Sequence, residues 1–166
     1  MIIRNEMESD AEAIFEVTKR AFEDHPYSHN TEQFIVNALR DAHALTVSLV
    51  AEVDGKVVGH VAFSPVTVSD GSHDWYGLGP VSVLPEFQTQ GIGKSLIHDG
   101  LALLKARGAE GCVLVGDPHY YERFGFRNIP DLTFEGAPQE NFLALPFHNK
   151  VPRGSVAFHP GFSARS

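Results

Sequence analysis

Between Val81 and Arg107 the apolar pattern changes period within a few residues. A strand-like run closes at Val81-Ser82-Val83, and Leu84-Pro85-Glu86-Phe87 turns the chain. Gln88-Thr89-Gln90-Gly91-Ile92-Gly93-Lys94 then carries two glycines, and Ile92, Leu96, Ile97, Leu101 and Leu104 recur at helical spacing. A strand that runs through such a loop into a long helix aims several backbone N–H groups at one point. The helix dipole adds partial positive charge there, so the segment predicts a phosphate or diphosphate site at the start of a helix over 91–107. Gly91 and Gly93 let a ligand approach the backbone without meeting a Cβ. Lys94 offers a charge contact, or is simply solvated.

The rest of the chain surrounds this unit with a mixed order of elements. Ile2 to Arg4 reads as a short strand, and Ser9 or Asp10 caps a helix reaching about Phe22. A polar loop covers 23–30, and Asn30 or Thr31 starts a second helix. Residues 45–53, 57–68 and 73–83 read as an antiparallel meander, with a tight turn at Asp54-Gly55 and another at residues 69–72. Cys112 to Val115 reads as a buried strand, 119–124 as a short helix, and the tail from about 130 as strand-like, interrupted by Pro138, Pro146 and Pro152. The expected fold is a single α/β domain of the α+β type spanning residues 1–166. Its central twisted sheet is mixed, mostly antiparallel, and flanked by helices.

Three ligand classes use glycine loops of this kind, and spacing separates them. A dinucleotide loop, G-x-G-x-x-G, would need glycine at Leu96. A nucleoside-triphosphate loop, G-x-x-x-x-G-K-[ST], matches Gly93-Lys94-Ser95 but has Gln88 at its first glycine. A third pattern, [RQ]-x-x-G-x-[GA], is matched in full by Gln88-Thr89-Gln90-Gly91-Ile92-Gly93. About 30 residues beyond the loop lies Tyr121-Glu122-Arg123-Phe124-Gly125-Phe126. On these two motifs, in this order, the chain resembles the GNAT superfamily of N-acetyltransferases. Val61-Ala62-Phe63-Ser64-Pro65, Gly116-Asp117-Pro118 and Val156-Ala157-Phe158-His159 are similar to a branch of small bacterial acetyltransferases. Many superfamily members carry an Asn after the following strand to contact the cofactor arm; Gly116-Asp117-Pro118 stands there instead.

The resemblance implies acetyl-coenzyme A as co-substrate, without a metal, and a primary amine on a small molecule or peptide as acceptor. It implies that Val81, Ser82 and Val83 pair with the pantetheine arm, and that Gln88, Thr89, Gln90, Gly91, Ile92, Gly93 and Lys94 bind the cofactor. Val83 N–H would polarise the thioester carbonyl, and Tyr121 would protonate the leaving thiolate, with Tyr120 as the adjacent alternative. The general base is open among His73, Asp74, Glu86 and His25. In this superfamily the loop between the first helices walls the acceptor site, and here it offers Glu23, Asp24, His25, Tyr27 and His29. Two other readings stand beside this one: an acetyl-CoA-binding regulatory module without turnover, and a nucleotide-dependent phosphotransferase.

Charge and cysteine usage narrow the setting. Thirteen basic against 21 acidic residues give a formal charge of −8, and no Lys/Arg run concentrates positive charge for nucleic acid. A lone cysteine, Cys112, excludes an intrachain disulfide. Among the nine histidines, His25 and His29 are four apart, but Pro26 breaks a helix across them, and no His-x-His, paired-Cys or His-Glu-x-x-His pattern appears. The early polar residues exclude a signal peptide, and no run approaches the ~18 apolar residues of a membrane helix. The expectation is a cytoplasmic protein, monomeric or homodimeric, with no nucleic-acid or membrane partner.

Overall fold

Asp54 and Gly55 both adopt positive φ, 50° and 77°. That geometry matches the right-handed twist of paired strands. It joins β2 (Val47–Val53) to β3 (Lys56–Pro65) as the predicted antiparallel hairpin. β1 (Ile2–Asn5) pairs with the outer edge of β2, and β5 (Trp75–Val83) with the far edge of β3. β6 (Gly111–Val115) joins β5 in parallel, and β8 (Phe142–Pro146) lies antiparallel on β6. The computed structural model describes residues 1–166. Its main sheet has the order β1-β2-β3-β5-β6-β8, with one parallel pair among antiparallel ones, as expected.

Alternation along β3 assigns the helices to opposite faces. A Cβ on Gly59 would meet Ile92 and Leu96 at 3.1 Å, so this position faces α3 (Ile92–Ala106). Its neighbour His60 points the other way, toward Ser48 and Glu6. Arg40 of α2 (Glu32–Asp41) holds the Glu6 carboxylate at 2.8 Å, and α1 (Ala11–Phe22) packs beside α2. The apolar stripe of α3 is the anticipated one: Leu96 and Leu104 are fully buried, and Ile97 and Leu101 nearly so. Truncating such a side chain, as in Leu96→Ala, costs roughly 2–5 kcal/mol.

The single strand read over 57–68 holds only to Pro65. Proline has no N–H with which to continue a ladder. Thr67–Val68 form a separate strand, β4, in a second sheet built by the tail. There β9 (Gly154–Ala157) pairs with β4 on one side and with β7 (Leu132–Thr133) on the other. The short helix near 119–124 is α4 (Pro118–Tyr121) continued by a 3-10 turn over Glu122–Phe124. No helix is long and apolar enough to cross a membrane.

One irregularity parts the main sheet. β5 and β6 pair only through Trp75–Gly77 and Gly111–Val113. On its other edge β5 carries one extra residue between Leu78 and Val81, opposite Phe63 and Val61 of β3. A bulge of this kind bends a strand and increases its twist. Beyond it β5 leaves β6, and a notch opens in the sheet between Leu78–Val83 and Leu114–Val115.

Candidate active site

The notch exposes one edge of β5. Leu84 N–H donates to Val58 O of β3 at 2.9 Å, so alternation turns the N–H and C=O groups of Val81 and Val83 to the unpaired side. Gln88 confirms the direction, because its Nε2 donates to Val83 O from that side at 3.0 Å. The side chains of Val81 and Val83 face α3, standing 4.0 and 3.7 Å from where a Gly93 Cβ would be. Ser82 faces the opposite way and is buried among the helices, with no partner for its hydroxyl.

Beside this edge the chain enters α3 through Gly91, whose φ of 83° belongs to the left-handed region. Thr89 also has positive φ, 65°. Ser95 N–H closes the first helical bond, to Gly91 O. The amides from Thr89 to Lys94 have no hydrogen-bond partner in the chain. Unpartnered amides at a helix start form an anion site, and this one opens into a cavity of about 450 Å³. Val83, Gln88, Thr89, Gly91, Gly93 and Lys94 line it, together with the edge of Ile92. Gln90 is exposed beside the cavity without lining it.

Tyr120, named from the sequence as the alternative to Tyr121, lines the cavity, and two contributors that sequence reasoning missed, Arg123 and Phe87, complete its wall. The Arg123 guanidinium stacks 4.4 Å from the Tyr120 ring centroid, and its Nε donates to Tyr120 O at 2.8 Å. An adjoining groove of about 230 Å³ shares Lys94 and Arg123 and adds His98 and Lys105. In a chain of formal charge −8, this is a local concentration of cations. The helical spacing of Lys94, His98 and Lys105 was the available sequence signal, but Arg123 joins them only through the fold.

Tyr121 lies in α4 with its ring against Gly116, just past the end of β6, and borders neither cavity beside the notch, whereas Tyr120 lines the one at the start of α3. The Tyr121 ring packs edge-on against Phe126 at 6.0 Å and against Tyr120 at 4.9 Å. Burial, reinforced by the neighbouring Tyr120 and Cys112, pushes its phenol up to about 12. Cys112 is itself buried, and that burial raises its thiol well above the ordinary range, as expected of a packed core residue. Asp117 occupies the family's asparagine region and caps α4 instead, accepting from His119 N–H at 2.9 Å.

The base candidates disperse. His73 and Asp74 line a polar cavity at the closed end of β5, away from the notch. Glu86 is engaged by Arg20 at 2.9 Å. The loop residues Glu23, Asp24, His25, Tyr27 and His29 are all exposed, and none borders either of the two cavities that flank the notch. The acidic residue that reaches the notch from this side is Glu32, at the start of α2. It borders a second cavity of about 370 Å³, on the α1–α2 face, against Leu78, Gly79 and Pro80. No group of three or more metal-ligating side chains is present.

The fold and the notch define an acyl-transfer scaffold, and comparison with known proteins names its class. The acetyltransferase (GNAT) family profile matches residues 11–126. The chain belongs to this family. An Escherichia coli (strain K12) protein named "Uncharacterized N-acetyltransferase YhbS" is 39% identical over 127 residues, which cover 76% of this chain and 73% of that one. A crystal structure of a GNAT family acetyltransferase from Brucella melitensis in complex with acetyl-CoA superposes with a TM-score of 0.87 at 51% identity, covering 98% of this chain and 97% of that one. The structure of Escherichia coli YhbS in complex with CoA superposes with a TM-score of 0.89 at 34% identity, covering 99% and 93%.

Proposed function

We propose that the protein transfers the acetyl group of acetyl-CoA to a primary amine across the β5–β6 notch. The observation that carries this reading is the unpartnered run of amides from Thr89 to Lys94 opening beside the free edge of Val81 and Val83. A diphosphate fits the first feature and an amide-bearing pantetheine arm fits the second, as an added strand. Acetyl-CoA carries both groups, and it is the molecule in the Brucella melitensis relative. Lys94, Lys105 and Arg123 supply charge for its phosphates, with His98 beside them as a hydrogen-bonding group.

Holding the thioester against the acceptor removes much of the entropic barrier. Val83 N–H, directed into the notch, donates to the carbonyl oxygen as negative charge develops there. One such donor is worth about 3 kcal/mol in the transition state. As the amine nitrogen bonds to the carbonyl carbon and the C–S bond breaks, Tyr121 gives its proton to the departing sulfur. The amine's own proton leaves to solvent, and solvent returns a proton to the Tyr121 phenolate. The cavity beside Glu32 lies across the notch from the phosphate cavity, so the acceptor enters from the α1–α2 face.

The discriminating experiment is a thermal shift with acetyl-CoA, CoA, ATP–magnesium and NAD, each alone, on wild type and Gly91→Val. A ligand at 100 times its Kd stabilises the fold by about 2.7 kcal/mol. The expected result is a shift with the two CoA species that Gly91→Val abolishes, because valine cannot adopt the left-handed φ of 83° without strain. A shift with ATP–magnesium alone would overturn the reading.

A further inference from the structure

The cavity on the α1–α2 face has a lining that selects among amines. Seven of its ten lining residues are hydrophobic, and no Lys or Arg is among them. Phe22 and Ile35 come from the helices, Leu78 and Pro80 from β5, and Phe158 and Phe162 from the tail. The two tail rings meet at a tilt with centroids 5.2 Å apart, and Phe158 packs edge-on against Phe134 at 4.9 Å, so one wall is continuous aromatic surface. The sole ionisable group is Glu32. Ser28 Oγ donates to its Oε1 at 2.7 Å, while Oε2 has no partner in the chain. Glu32 is therefore the one charge in an otherwise apolar lining, with one carboxylate oxygen free of a partner in the chain.

From this lining we infer that the acceptor is a small primary amine bearing an aromatic ring and no anionic group. The inference rests on the acetyl-transfer reading above and specifies its substrate class. Three features support it. An ammonium group complements Glu32 Oε2, and no second cationic centre finds a partner, which disfavours polyamines. A free amino acid would bring a carboxylate beside Glu32 with no Lys or Arg to receive it, and burying an unpaired charge is costly. The volume, about 370 Å³, lies at the small end of ligand cavities and suits a ring more than a folded chain. Aromatic walls favour aromatic occupants through edge and stacked contacts.

The test is acetyl-CoA-dependent turnover with 2-phenylethylamine, phenylalaninamide, free phenylalanine and putrescine, alongside calorimetry of CoA binding on the same preparation. The expected kcat/KM for the first two exceeds that of the last two by at least about tenfold, the scale on which apolar pockets discriminate. Glu32→Gln should raise KM for 2-phenylethylamine about tenfold with kcat and CoA affinity little changed. Val115→Trp, at a position 46% exposed that also lines the cavity, should raise KM for the aromatic amines but not for ethylamine. Putrescine or free phenylalanine matching the aromatic amines would overturn the inference. So would a Val115→Trp enzyme with unchanged KM, or an enzyme that binds CoA but acetylates none of the set. If CoA itself does not bind, the acetyl-transfer reading fails first, and the calorimetry identifies that case.

Discussion

A Cβ placed on Gly116 would stand 2.5 Å from Cε2 of Tyr121, so the absence of a side chain at the end of β6 is what seats the phenol ring. Gly116→Ala should displace that ring. If Tyr121 is the acid, Gly116→Ala and Tyr121→Phe should lower kcat by similar factors, roughly 100-fold. CoA affinity, measured by calorimetry, should stay near wild type in both. Loss of CoA binding in Tyr121→Phe would assign the ring to cofactor contact instead.

The same residue makes a pH prediction. Burial holds the Tyr121 phenol neutral up to about 12, above its ordinary value of 10.0. Activity should therefore rise with pH as the acceptor amine loses its proton, without a Tyr121 downturn below pH 10. A descending limb of kcat near pH 8 that vanishes in Tyr121→Phe would contradict this assignment.

Lys105 and His98 extend the phosphate cavity beyond the diphosphate-sized pocket, where a third phosphate of CoA would lie. CoA should bind about tenfold more tightly than dephospho-CoA, a difference of about 1.4 kcal/mol. Lys105→Ala should shrink that ratio toward one. Competition binding at two salt concentrations checks it, since charge contacts at an exposed groove weaken as salt rises.

A buried polar cluster predicts the acid limb of stability. Ser48 Oγ donates to Glu6 and lies 2.8 Å from His60 Nε2, while Arg40 donates to Glu6 at 2.8 Å. Desolvation by burial holds His60 below its ordinary pKa of 6.5. Burial also opposes the charge on Glu6, but the hydrogen bonds around it prevail and hold its carboxyl far below 4.5. Both groups take up protons more readily when unfolded, so both favour the native state at neutral pH. The His60 contribution should fade as pH falls below about 6.5, and the Glu6 contribution below about 4.5. Calorimetric Tm against pH should show two stages of loss, and His60→Gln should flatten the upper one. An unchanged upper limb in that variant would count against the assignment.

Gly100 makes a prediction free of any catalytic role. A Cβ there would reach within 2.6 Å of Phe63 Cζ, across the α3–β3 interface. Gly100→Ala should destabilise the fold by about 1–3 kcal/mol through overpacking, read as a lower urea midpoint with an unchanged slope.

How much of this was legible beforehand depends on how local each signal is. The Asp54-Gly55 turn, the stripe of α3 and the Gln88–Gly93 loop are written in neighbouring residues, and the structure places them as read. Pairings made late in the chain are not local. Thr67–Val68 take their partner from residues 156–157, and nothing near Pro65 announces that exchange. Among the acidic residues near the first helices, Glu23 and Asp24 stand in the exposed loop, while Glu32, only a few positions on, is carried by the start of α2 to the cavity beside Leu78 and Pro80. Arg123 lay inside a motif noted for its tyrosine, yet its place beside Lys94 follows from α4 folding back over the start of α3. His60 gave no signal at all, since one histidine in an apolar strand does not disclose that Ser48, Glu6 and Arg40 will converge on it.

The narrow pairing of β5 with β6 has a mechanical consequence. Three residue pairs join four strands on one side to two on the other, and the Trp75 indole lies over Gly111 at that junction, within 2.6 Å of where a Cβ would be. A sheet stitched so briefly and then parted behaves as two plates meeting at a seam. Whatever is laid into the gap acts as a rivet there, joining two strands that the sheet itself leaves unjoined beyond Gly77 and Val113.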